Sequence, residues 1–180
     1  MARPRVRSLG SPTRYAVDTW AKERPDLDPD DYLFLIHVMR LGQLIDKLHD
    51  SFSRKAFGLS GADVRVLMIL RRSQAIRAPK AAELAEAQMV TTGAMAKQLD
   101  RLEGLGLISK QALEGDGGGL AVHVTEAGLD LADQAMTNLV SGSTVSRLKR
   151  ALPPVERKRL ATLCEAILLD YEDWSAAERP

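Results

Sequence analysis

Two amphipathic stretches separated by three residues constrain this chain more than any other feature of its sequence. Residues 79–87 (PKAAELAEA) begin with a proline at a first-turn position and set Ala82 and Leu84 inward. Residues 91–103 (TTGAMAKQLDRLE) align Met95, Leu99 and Leu102 on one face, and only Gln88, Met89 and Val90 lie between the two stretches. Short helices joined so briefly must cross sharply, which is the geometry of a helix-turn-helix. Gly104 and Gly106 end the second helix, and Leu107 to Gln111 then read as a strand. EGDGGG reads as a turn, and Leu120, Val122 and Val124 alternate as a returning strand. The expected central unit, residues 59–125, is therefore a helix-turn-helix carrying a β-hairpin.

The flanks read as longer helices. From Asp31, the residues Phe34, Val38, Leu41, Ile45, Leu48 and Phe52 recur in steps of three and four, predicting one long helix that ends near Gly58. Leu35, Met39 and Leu44 widen its apolar stripe, so more than one neighbour is expected to cover it, a second subunit among them. Ser60 is placed to cap a helix running through Arg71 with Val64, Leu67 and Leu70 inward. Thr125 caps another predicted to reach about Leu148. Pro153-Pro154 opens a last one carrying Leu160, Leu163, Ile167, Tyr171 and Trp174. Residues 1–13 are expected to form a loose basic arm, with a short helix over residues 14–22. The domain reading is an arm (1–13), N-terminal dimerisation helices (14–58), the winged unit (59–125) and C-terminal dimerisation helices (126–180).

Bulk properties narrow the class. Of the 180 residues 45% are hydrophobic but only 4% aromatic, which favours helices packed through aliphatic stripes over a sandwich of strands. The formal charge of +1 is unevenly spread: residues 1–14 carry Arg3, Arg5, Arg7 and Arg14 without an acid, whereas residues 111–146 contain no Lys or Arg. One cysteine, Cys164, excludes an internal disulfide and fits a reducing cytoplasm; its side chain is expected to be a buried small hydrophobe on the last helix. No signal peptide, membrane span, metal-ligand spacing or catalytic motif is evident, so no cofactor, metal or membrane partner and no enzymatic activity is expected.

The phrases VTTGAMAKQLDRLEGLGLI and VHVTEAG, with an aspartate and a short tip between them, resemble the MarR family of winged helix-turn-helix regulators. The resemblance implies a mainly α fold with a two-stranded wing, and a triangular homodimer whose first and last helices intertwine. It also implies a regulator, in most members a repressor, of a pseudo-palindromic double-stranded DNA operator. The extra helix with Trp20 resembles a subgroup that includes urate-responsive members. Where that subgroup carries an acid and an arginine, this chain has Arg65 and Gln98, so urate is not carried over.

With residues 91–103 in the major groove, Thr91, Thr92 and Gly93 approach bases or phosphates, and Lys97 and Gln98 are the expected base readers. Arg101 is expected to face a phosphate or a neighbouring acid, and Lys80 the DNA backbone. The plainer alternative is that these residues form only a solvated helix face. In the wing, Asp116 matches the family's aspartate, Gly117 and Gly118 stand where relatives carry arginines, and His123 lies on the returning strand. Three accounts of those glycines remain: the arginine arm substitutes, DNA binding is weak, or the protein acts through protein contacts after losing specific DNA binding. Trp20, Tyr32, His37 and Arg65 are candidates to line a cleft for a small aromatic or anionic ligand, against the plainer reading that they only pack or face solvent.

Overall fold

The structure is a computed structural model describing residues 19–20, 22–113, 119–142, 146 and 149–177. Its elements run α1 (Pro29–Phe57), α2 (Gly61–Ser73), α3 (Ala81–Ala87), α4 (Thr92–Gly104), β1 (Ile108–Ala112), β2 (Leu120–Val124), α5 (Glu126–Ser141) and α6 (Pro154–Ala177). It is a mainly α winged helix-turn-helix: α3 and α4 are the helix pair and β1–β2 the wing.

Local chemistry sets the boundaries. Gly58 leaves α1 at φ 69°, a left-handed conformation that glycine adopts without a Cβ clash. At the start of α2, Ser60 Oγ accepts from the Asp63 amide at 3.1 Å while Asp63 Oδ2 accepts from the Ser60 amide at 3.1 Å, a reciprocal capping box. Thr125 Oγ1 caps α5 by accepting from the Gly128 amide at 3.2 Å, and its hydroxyl donates to Gly106 O at 2.8 Å. The second of these hydrogen bonds fastens the start of α5 to the exit of α4.

The core sits inside the winged unit. Val64, Val66, Leu67 and Leu70 of α2 meet Leu84 of α3, Met95, Leu99 and Leu102 of α4, Ile108 and Val122 of the wing, and Ala132 and Ala135 of α5. The wing strands are antiparallel with Ile108 opposite Val124 and Ala112 opposite Leu120. Pro79 O accepts from the Val122 amide at 3.0 Å and Lys80 forms an isolated bridge with Ala121, stitching the start of α3 to the wing. Outside this unit the large apolar side chains of α1 and α6 are uncovered in the single chain: Phe34 is 52% exposed, Leu44 52%, Leu163 54% and Trp174 54%.

Several expectations are corrected. Pro79 is not inside a first helical turn but precedes Lys80, the residue that caps α3. Ala82 faces solvent, and Ala85 joins Leu84 inside instead. Leu120 is 42% exposed while Ala121, which bridges to Lys80, is buried. α5 stops at Ser141, short of Leu148, where Gly142 turns to an extended conformation. Cys164 is exposed, since no described residue packs over that side of α6. The arm and the wing-tip residues Asp116, Gly117 and Gly118 lie outside the described residues.

Candidate nucleic-acid interface

α4 is presented outward by its first turn. Thr91 serves as its N-cap, Oγ1 accepting from the Ala94 amide at 3.2 Å, so part of that side chain's hydrogen-bonding capacity is spent locally. Thr92, Gly93, Ala96 and Lys97 are exposed beyond it. Lys97 makes no ion pair with any described residue. The acids of the same helix are neutralised from the wing: Lys110 Nζ lies 2.5 Å from Asp100 Oδ1 and 2.9 Å from Glu103 Oε2. Those bonds raise the Lys110 ammonium above its ordinary range and hold the Glu103 carboxyl below its own. The outward charge of α4 is thereby left positive at Lys97.

Lys80 is exposed at the seam between helix pair and wing, its amide donating to Glu83 Oε2 at 2.7 Å. The Arg77 guanidinium grips Glu83 through two bonds, at 2.8 and 2.5 Å, and this grip pulls the Glu83 carboxyl down to about 2. Arg77 is thus occupied, and Lys80 remains the cation of this segment directed to solvent. His123 is exposed on β2 opposite Ser109.

Gln98 is the clearest correction among the expected base readers. Its residue is only 8% exposed and its Nε2 is buried without a partner. The sequence held the signal: Gln98 lies three residues after Met95 and four before Leu102, on the inward stripe of the helix. The Arg101 guanidinium pairs with an acid, Asp63, whose side chain is 2% exposed. Asp63 belonged to no expected site; its pairing depends on a fold contact between α2 and α4 that no spacing reveals.

The ligand candidates are not brought together. A cleft of about 490 Å3 between α1, α2, the α3–α4 turn and α5 is lined by Asp46, Arg65, Met68, Arg72, Met89 and Met136 among others. Arg65 borders it, paired with Asp46 at 2.8 Å. Trp20, Tyr32 and His37 do not line it. Trp20 is 48% exposed on the N-terminal segment, His37 is exposed on α1, and the Tyr32 hydroxyl is buried without a partner. Among the described residues no cluster of acids, histidines and cysteines is suited to hold a metal, and no helix is long and apolar enough to cross a membrane.

Comparison with known proteins places this geometry. A family model described as MarR family matches residues 59–117. The HTH-type transcriptional regulator PecS of Dickeya dadantii (strain 3937) is 31% identical over 120 residues, covering 67% of this chain and 72% of PecS. Wild-type apo MarR from E. coli superposes with a TM-score of 0.59 at 26% identity, covering 74% of this chain and 94% of that one. A mutant E. coli MarR complexed with operator DNA superposes at 0.63 with 23% identity, covering 77% and 96%, and shares the fold. With the winged helix-turn-helix formed by these residues and a regulator this similar over two thirds of the chain, the protein belongs to the MarR family of transcriptional regulators.

Proposed function

We propose that the chain forms a homodimer, binds a pseudo-palindromic DNA operator as a repressor in the cytoplasm, and inserts the first turns of α4 into the major groove. The observation carrying this reading is the exposed turn Thr92–Lys97, whose one cation has no described partner while neighbouring acids are held by Lys110. Lys97 is the base reader, the amides of Thr92 and Gly93 approach phosphate, and Lys80 contacts the backbone beside the wing. Dimerisation is supported by the uncovered apolar faces of α1 and α6, which water would otherwise solvate at a cost of about 25 cal/mol per Å2.

Fluorescence anisotropy with duplexes from upstream of the protein's own gene, set against a shuffled duplex at several salt concentrations, tests it. Lys97→Ala should weaken binding to the upstream duplex and relax base preference at the position it reads, whereas Lys80→Ala should weaken binding to any duplex and reduce the salt slope by about 0.9. Equal affinity for both duplexes would favour the second reading, a winged-helix protein acting through protein contacts. The glycines at 117 and 118 and the inward turn of Gln98 favour that alternative, since each removes a DNA contact. The cleft beside Arg65 is the proposed seat of a small aromatic or anionic ligand, tested by operator release with salicylate as probe.

A further inference from the structure

The first turn of α2 gathers bonds from α1, from the helix-turn-helix turn and from α4. From α1, Asp50 Oδ1 accepts from the Gly61 amide at 2.8 Å, and His49 Nε2–H donates to Gly61 O at 3.1 Å. Gly61 lies so close to α1 that a Cβ there would stand 3.0 Å from the Asp50 backbone. From the helix-turn-helix turn, Gln88 Nε2 donates to Ala62 O at 3.2 Å. From α4, Arg101 reaches Asp63, whose other carboxylate oxygen is held by the Ser60 amide and hydroxyl at 3.1 and 2.6 Å. Asp63 is therefore a buried carboxylate with both oxygens committed, one to the cap of α2 and one to the recognition helix.

We propose that Asp63 and Arg101 are positioning residues for operator binding, fixing the angle of α4 against α1 through the α2 cap. The inference rests on the DNA-binding reading above. In a two-fold dimer, α1 carries the interface and α4 reads the half-site, so the angle between them sets the spacing at which both half-sites are met. The Met95, Leu99 and Leu102 contacts hold α4 down but run along its axis, and apolar contacts are weakly directional. A bond between a buried carboxylate and a guanidinium is directional and, placed near the C-terminal end of α4, pins that end to the α2 cap so that α4 resists swinging against α1. Arg101 is 52% exposed, and a phosphate-binding role for the same side chain predicts the opposite sign for Asp63→Asn and a different salt slope for Arg101→Gln.

The decisive variants are Asp63→Asn and Arg101→Gln, the second leaving the α2 cap intact should the first unfold. If Arg101 positions α4, both variants lose about tenfold in affinity for the upstream duplex, keep shuffled-duplex affinity and retain the wild-type salt slope. If Arg101 is a phosphate ligand, Asp63→Asn frees it and tightens binding, while Arg101→Gln lowers the slope by about 0.9; either result overturns the proposal. Lowered thermal stability with unchanged affinity, a purely structural role, overturns it as well. A readout without DNA separates this from the parent reading. Spin labels at Gln43→Cys on α1 and Lys97→Cys on α4, in a Cys164→Ser background diluted with unlabelled chain, should give one narrow distance in the parent and a broadened one in both variants. An unchanged distribution refutes the proposal even if no duplex is bound, whereas a wild-type chain that fails to discriminate between duplexes refutes the DNA-binding reading alone.

Discussion

Replacing Gly128 by alanine should destabilise the protein, although alanine is the better helix former. Gly128 is buried in the first turn of α5, and a Cβ there would fall 2.1 Å from Leu107 O and 2.7 Å from Val124 Cγ2. Real Cβ contacts stay beyond 3.0 Å, so the strand exit or the helix must move by roughly 0.9 Å. Leu107 O already accepts from the Thr125 amide at 3.1 Å, so moving it strains that bond, worth about 1 kcal/mol. Overpacking adds about 1–3 kcal/mol, and the helical preference for alanine returns about 1 kcal/mol. The expected net loss is about 2 kcal/mol. For a chain of this size that lowers the melting temperature by about 4–8 °C. Gly93→Ala is the paired control: a Cβ on that exposed helical residue meets nothing within 4 Å, and a gain of up to about 1 kcal/mol is expected. Differential scanning calorimetry of both variants reads the comparison. A Gly128→Ala protein as stable as the parent would refute the packing argument, as would a Gly93→Ala loss of equal size.

Other outcomes follow from single sites. Met89 sits in the helix-turn-helix turn at φ 53° and is 72% exposed, so Met89→Asn should stabilise by roughly 0.5 kcal/mol in urea unfolding, because asparagine tolerates that backbone at lower cost. Burial and the nearby Arg65 charge push the His49 imidazole below 6.5, so the unfolded chain takes up a proton that the folded one resists. The His49 contribution is full above pH 6.5 and falls away as the pH drops; that of Glu83 is full above 4.5 and is lost on descent to about 2. Urea midpoints measured from pH 8 to pH 3 should therefore fall below 6.5, and His49→Gln should flatten that first decline. Gly118→Arg restores the cation expected from the family resemblance and should tighten DNA binding while steepening its salt dependence by about 0.9; unchanged affinity would show that the wing carries no phosphate contact.

The helix-turn-helix, the wing and the long flanking helices were legible in the sequence because each rests on local rules. Ser60 and Thr125 cap where hydroxyl chemistry and the following helical period require it, and the four residues Gln88 to Thr91 between α3 and α4 leave little choice of crossing. The uncovered stripes of α1 and α6 were equally readable from their periods of three and four. What sits on the interface was less so. Gln98 looked like a base reader because glutamine is polar, yet helical phase turns it inward with Met95 and Leu102. Lys110 neutralises Asp100 and Glu103 across the helix–strand junction, so the charge facing solvent differs from the charge counted along α4.

Backbone period and capping are properties of neighbours in the chain, and by themselves they determined which segments became helix or strand. Why Gly128 admits no side chain, how Asp63 reaches Arg101 and how Lys110 neutralises the acids of α4 were decided only by tertiary structure. The physical reason is separation: the Asp63–Arg101 pair spans 38 residues and the close approach of Gly128 to Leu107 spans 21, distances over which only the packed fold brings the partners together.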